Sequence, residues 1–143
     1  MTLHEAMFEF MRQYPNVGDL FSFDFMEAEK HASSFCVVEN DDVKRDIFGN
    51  RTGRYKFAIA EYKPISTDPF AKENRQNVEA VDAFIAWVRQ QDRQMNYPNL
   101  GDNRQVQMMS AKRLGDGIDY IDKQKRVARY TFIVTVEYEE RED

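Results

Sequence analysis

The 143-residue chain is poor in the side chains on which most nucleophilic and metal chemistry depends. It has one cysteine, Cys36, and two histidines, His4 and His31. A single cysteine excludes an internal disulfide and a cysteine-based zinc cluster. Cys36 and His31 are the one sequence-local pair of nucleophile and base, but Cys36 lies in an apolar segment, where a reactive thiolate is disfavoured. We therefore expect a core cysteine and a protein that is not an enzyme.

Other motifs for metal or phosphate binding are equally weak. Glu27, Glu29 and His31 come nearest to a metal-ligand spacing, but their segment is polar and we expect it to be a solvated loop. The run Gly115-Asp116-Gly117 resembles part of a glycine-rich phosphate loop without the next glycine or a helix start, so it predicts a hairpin turn. The sequence thus predicts neither a metal site nor a cofactor.

An excess of basic residues and long apolar runs are also missing. There are 20 Lys and Arg residues against 25 Asp and Glu, a net charge of −5, which argues against a general nucleic-acid binder. No apolar run is long enough to span a membrane, and we expect no signal peptide. With 42% hydrophobic and 13% aromatic residues, the chain is too apolar for disorder. The length predicts one domain over 1–143, with an acidic C-terminal tail at about 139–143.

Two segments have helical periodicity. The first begins with the capping box Thr2-Leu3-His4-Glu5 and closes at Pro15. The second runs from about Pro69 or Asn74 to Met95, and its apolar stripe is predicted to pack on a sheet. The residues of that stripe are Val78, Val81, Ile85 and Val88, widened by Phe84 and Trp87.

Alternating residues predict strands before and after the long helix. The predicted extended segments are 20–26 (a strand or an assembly arm), 34–39 ended by 40–42, 43–48, 54–62, 104–114, 118–122 and 129–138. Hairpin tips are predicted at 49–53 and 123–126, and a turn at 115–117. The order helix, strands, long helix, strands predicts an α+β fold, in which a mostly antiparallel sheet has two helices packed on one face.

Basic residues gather at the predicted hairpin ends, and acidic residues at the C-terminus. The candidate residues for a subunit interface or a lumen are Lys44, Arg45, Arg51, Arg54, Lys123, Lys125, Arg126, Glu139 and Glu140. These charges have two interpretations. Solvated charges at hairpin ends resist edge-to-edge aggregation. Alternatively, they contact the acidic end of a neighbouring copy, or DNA passing through a lumen.

Five segments carry a resemblance to a known family. They are the capped first helix from Thr2, Ser34–Glu39, Gly53–Tyr62, the helix Asn77–Val88 with its Trp87, and Arg129–Tyr138. In order and length these segments resemble the tail terminator, or tail-completion, proteins of long-tailed phages. The likeness spreads over nearly the whole chain and includes no catalytic signature.

The resemblance implies a structural virion protein. It would cap the tail tube as a ring, end tube polymerisation and form part of the head–tail joining interface. The implied partners are further copies of the chain in a ring, expected to be a hexamer, the tail tube protein, a head–tail connector or neck protein, and DNA passing through the lumen, with no membrane. The implied location is the phage tail or neck, assembled in the host bacterial cytoplasm.

Three alternatives remain open from the sequence. Another neck component, such as a head-completion or connector protein, would belong to the same class, although such proteins are often more helical. A small transferase on an α+β scaffold would need a catalytic constellation that the sequence lacks. A host regulatory module would use the open sheet face as its binding site.

Overall fold

The computed structural model describes residues 2–14, 21–23, 33–66, 68 and 72–141. They form two helices and a five-stranded, mostly antiparallel sheet in the order β1-β2-β3-β5-β4. The elements are α1 (Leu3–Met11), β1 (Phe21–Phe23), β2 (Ser33–Arg45), β3 (Arg51–Pro64), α2 (Lys72–Arg93), β4 (Arg104–Asp122) and β5 (Val127–Glu140). The predicted α+β class is confirmed.

Helix α1 begins at the predicted capping box. The Thr2 hydroxyl accepts a hydrogen bond from the Glu5 amide at 3.2 Å, and the Glu5 carboxylate accepts one from the Thr2 amide at 3.4 Å. Two amides that the helix leaves without an internal partner are thereby satisfied. The inner face of α1 is buried through Met7, Phe10 and Met11.

Both helices pack on one face of the sheet, as predicted. Phe8 of α1 packs edge-on against Phe35 of β2, with 5.9 Å between the ring centres, and the ring centres of Phe84 in α2 and Phe132 in β5 are 4.2 Å apart. Tyr14, just after α1, connects the two helices through an edge-on contact with Phe84, with 5.0 Å between the ring centres. The core therefore lies between the helices and one sheet face.

The predicted stripe of α2 is right in three of its four positions. Val81, Ile85 and Val88 are buried, whereas Val78 is 41% exposed. Val78 lies in the N-terminal part of α2, and much of its side chain is in contact with water. The prediction that Val78 packs on the sheet is wrong.

The first hairpin is longer than its sequence indicated. β2 does not end at 40–42 but continues to Arg45, and 43–45 belong to it rather than to a further strand. The turn lies at 46–50, so Arg51 and Gly53, predicted in the tip, are in β3. Gly53 is needed there because a Cβ at this position would collide with the ring of Tyr138 on β5.

In the second hairpin, the turn predicted at 115–117 is wrong. Those residues lie within β4, at an irregularity where the pairing with β5 shifts between Arg113 and Ile118. A further shift between Val106 and Met108 changes which side chains point inward: Met109 is 1% exposed and Met108 is 39% exposed. The tip predicted at 123–126 is confirmed.

At the first edge of the sheet, the structure describes part of the extended segment predicted at 20–26. Phe21–Phe23 form a short strand parallel to Ser33–Phe35, which decides for a strand over an arm at those three positions.

Cys36 pairs with Ala58 on the face away from the helices and is only partly buried, so it is not the core cysteine expected. Glu27, Glu29 and His31 lie outside the described residues.

Candidate subunit interface

The β2–β3 tip is built around one side chain. The Asp46 carboxylate accepts hydrogen bonds from the amides of Phe48 at 2.9 Å and Asn50 at 3.0 Å. The Asn50 side-chain amide donates to the same carboxylate at 3.3 Å, and Gly49 takes a positive φ of 86°. Asp, Gly and Asn at these positions are the residues that such turns favour.

This ordered turn exposes two large apolar side chains. Ile47 is 93% exposed and Phe48 is 79% exposed. Folding alone gives no reason to hold these side chains in water, and exposed apolar clusters mark interaction sites. Ile47 and Phe48 fall within the strand predicted at 43–48 and so were not candidate residues; their position between Asp46 and Gly49-Asn50 was the available signal of a turn.

Both lateral edges of the sheet carry further exposed apolar residues. From Cys36 onward, the outer edge of β2 pairs with no strand among the described residues, and neither does the outer edge of β4. Among the described side chains, the large exposed hydrophobics other than Val78 and Met95 all lie in the two hairpins. They are Val38, Val43, Ile47, Phe48, Met108, Leu114, Ile118, Tyr120 and Ile121. Long apolar edge strands are templates for pairing with another chain.

The basic and acidic candidates near the first tip meet within the same chain. Arg51 donates to Glu140 through Nε at 3.0 Å and Nη2 at 3.2 Å, and Arg104 donates to it at 2.6 Å. The hydrogen bond from Arg51 has the largest effect on Glu140 and that from Arg104 the next largest, and together they lower its pKa from 4.5 to about 2. Three strands are thereby tied together at one end of the sheet.

Arg54 has an equally close partner. Its guanidinium donates to Glu137 of β5 at 2.9 and 3.2 Å, across the β3–β5 pair. Glu139 and Glu140 lie in β5, which ends at 140, and so do not belong to a separate tail. Arg51 and Arg54 thus lie at the same end of the sheet as the acidic residues and do not form a separate basic patch far from them.

The remaining basic candidates lie at two ends of the molecule. Lys44 and Arg45 are exposed beside the first tip. Lys123, Lys125 and Arg126 are exposed in the second tip, at the opposite end of the sheet, where the Asp122 carboxylate accepts hydrogen bonds from the amides of Gln124 and Lys125. The structure therefore brings together Lys44, Arg45, Arg51, Arg54, Glu139 and Glu140, and leaves the second tip apart.

A groove with a volume of about 420 Å³ lies along the first residues of β4. Its walls are the segment after α2 and the start of β4: Met95, Tyr97, Pro98, Asn99, Leu100, Arg104, Gln105, Val106 and Gln107. Leu100 and Val106 form a buried apolar floor, and the 75% exposed Met95 stands in the wall. The sequence predicted a helix end at Met95, a loop at 96–103 and a strand from 104, and it indicated no groove.

Met95 occupies an unusual backbone position. The Asn96 amide donates to the Gln91 carbonyl at 2.9 Å and the Met95 amide to the Asp92 carbonyl at 3.1 Å, the hydrogen bonds of a Schellman helix end. The residue at this place is left-handed, with φ 54° at Met95, and is usually glycine. A methionine here costs backbone energy and places a flexible apolar side chain in the groove wall.

Asp92 fastens the groove to the sheet. Its carboxylate accepts hydrogen bonds from the Tyr97 hydroxyl at 2.7 Å and from the Met109 amide at 2.9 Å. Burial, with the hydrogen bond to Asp92, raises the pKa of Tyr97 to about 12. The end of α2 is thereby joined to the groove wall at Tyr97 and to β4 at Met109.

The described residues contain no group of three or more His, Cys, Asp or Glu side chains able to hold a metal ion. Neither of their helices is long and apolar enough to cross a membrane. No protein-family model and no curated protein sequence matches this chain. The arrangement of tip, edges and groove offers surfaces for protein–protein contact.

Proposed function

We propose that this chain is a structural protein of the phage virion that caps the tail tube as a ring, ends tube polymerisation and forms part of the head–tail joining interface. The observation that carries the proposal is the pair of sheet edges on opposite sides of one subunit, which no described strand covers beyond Phe35 and which carry exposed apolar side chains. A protein with two such edges is suited to joining copies of itself.

Opposite edges favour a ring over a two-fold dimer. A cyclic ring is held by a heterologous interface, in which one side of each subunit meets the other side of the next. The edges formed by β2 and β4 differ in sequence and in length, so they supply two different surfaces. Pairing of such edges adds main-chain hydrogen bonds to the burial of the exposed side chains.

The element order agrees with the resemblance on which the tail-capping role depends. A capped α1 comes first, then the β2–β3 hairpin, the long α2 with Trp87, and the closing strand β5. The hexameric ring, the tail tube protein and the connector are inferred from that family resemblance. Their support in this chain is the set of surfaces described above.

Deletion of the gene from the phage that encodes the chain tests the proposal. Loss of a cap leaves tube growth without a stop, so electron micrographs are expected to show over-long tails, restored to normal by the gene in trans. Tails of normal length would contradict the proposal. Normal tails that fail to join filled heads would favour another neck component.

A further inference from the structure

We infer that the β2–β3 tip of one copy inserts Ile47 and Phe48 into the groove beside β4 of a second copy. This inference rests on the proposed function, since it names the contact that would join neighbouring subunits of the ring. It takes as occupant a segment of this same chain.

Placement of the tip and the groove fits a ring. Arg45, Arg51, Glu140 and Arg104 lie side by side across β2, β3, β5 and β4 at one end of the sheet. The tip projects from the β2–β3 side of that end, and the groove lies at the β4 side. Tip and groove are therefore level along the strand direction and on opposite flanks, as a rotational, head-to-tail interface requires.

Among the described residues, the tip of a chain does not reach that chain's own groove. The strand β5 lies between β3 and β4, and with neighbouring strands about 4.8 Å apart, β3 and β4 are about 10 Å apart. The hydrogen bonds of Asp46 fix the tip in a tight turn that continues β2 and β3. Ile47 and Phe48 are correspondingly exposed in the single chain.

Tip and groove match in chemistry. The tip offers one aromatic and one branched aliphatic side chain. The groove offers the exposed Met95 as an adaptable apolar wall above Leu100 and Val106, which are largely buried, and its remaining lining is partly polar. The left-handed Met95 is kept where glycine is the ordinary choice, which accords with a side chain needed in the wall. The flanking charges are of opposite sign: Lys44 and Arg45 are exposed beside the tip, and Asp102 is exposed beside the groove.

Directed disulfide cross-linking of the purified full-length chain tests this contact. In a Cys36→Ala background, one preparation carries Ile47→Cys in the tip, which keeps the Phe48 ring, and another carries Gln105→Cys in the groove wall. Oxidation of the mixture is expected to give a disulfide-linked dimer of the two variants. A chain that carries both substitutions is expected to give a ladder of larger multimers.

Lys123→Cys provides the matched control, because it places an exposed cysteine in the other hairpin tip, at the far end of the sheet. Mixed with the Gln105→Cys chain, it is expected to give several-fold less dimer than Ile47→Cys does. Equal cross-linking of the two tips, or none from Ile47→Cys, overturns the inference.

Two further variants separate docking from folding. For this measurement the cysteines are again Ile47→Cys in the tip and Gln105→Cys in the groove wall. Phe48→Ser, added to the tip chain, removes an exposed ring, and Met95→Gly, added to the groove chain, removes the groove wall. Each is expected to lower the yield of cross-linked dimer several-fold, with circular dichroism to verify folding. Undiminished dimer in folded Phe48→Ser or Met95→Gly chains overturns the inference.

The outcome is separable from that of the proposed function. Specific tip–groove cross-links together with normal tails after gene deletion would leave the contact standing and remove the tail-capping role. Over-long tails after deletion without specific cross-links would remove this contact alone.

Discussion

At the scale of single residues, a few positions carry a residue that is unusual there and that costs folding free energy. Met95 is left-handed at a helix end, and Ile47 and Phe48 are held in water by a well-bonded turn. Glu140 has the opposite character, since two guanidinium groups stabilise its charged form. These departures lie near one end of the sheet, where we place the subunit contact.

Replacing Met95 by glycine should stabilise the isolated chain. The left-handed conformation costs a non-glycine residue about 1 kcal/mol or more, and the greater freedom of glycine in the unfolded chain returns part of that gain. We expect the free energy of unfolding to rise by about 0.5–1 kcal/mol in denaturant titrations. Gln90→Gly, in the last turns of α2, is the matched control and should instead lose about 1 kcal/mol. A loss of stability in Met95→Gly would contradict the assigned helix end.

Protonation of Glu140 should weaken the fold at low pH. Because its folded pKa of about 2 lies below its ordinary 4.5, its stabilising effect is complete above about pH 5 and is lost as the pH falls toward 2. The expected loss is about 1–2 kcal/mol, since the side chain keeps some contact with water. Thermal unfolding of Glu140→Gln should therefore depend less on pH between 5 and 2 than that of the wild type. Glu139→Gln removes one negative charge from the adjacent position and controls for net charge; equal pH profiles for wild type and Glu140→Gln would contradict the prediction.

At the scale of elements, helical periodicity located α2 well and alternation located the strands less well. Three of four stripe positions of α2 are buried, because a straight helix keeps its period over many turns. In β4 the shift between Val106 and Met108 reverses the alternation, so Met109 enters the core. Apolar and polar residues occur on both sides of that shift, and no local pattern marks it.

The inner face of α2 supplies a matched pair of substitutions. Val81→Asp places a carboxylate at a position that is 2% exposed and should cost several kcal/mol, whereas Val78→Asp, at 41% exposure, should cost about 0.5 kcal/mol or less. Chemical denaturation of both variants measures the difference. Similar stabilities would show that the face of α2 is assigned incorrectly.

At the scale of the whole molecule, the net charge of −5 conceals an internal arrangement of charges. Arg51 and Arg54 of β3 pair with acidic residues near the end of β5 within one chain. Their separation along the sequence had left contact with the acidic end of a neighbouring copy as one of two interpretations. Antiparallel pairing removes that separation, since it places the start of β3 beside the end of β5.

A charge swap distinguishes the two roles of Arg54. Arg54→Glu alone should lower stability by about 1–3 kcal/mol, because like charges then face each other across the strands. Arg54→Glu combined with Glu137→Arg restores the pair, and the thermal midpoint should recover. If Arg54 also contacts a neighbouring subunit or the lumen, the folded double variant should still give over-long tails in electron micrographs. Normal tails in the double variant would confine Arg54 to its role within the chain.

The sequence by itself determined the α+β class, the capped first helix, the buried stripe of α2 except Val78, and the tip at 123–126. Each depends on a local period or a turn residue, and such signals act over a few positions. Tertiary structure alone decided the strand order, the burial of the Met109 side chain, the pairing of Arg51 and Arg104 with Glu140, and the groove that Met95 lines. These features join residues far apart in the chain, and register and packing, which no local pattern encodes, bring them together.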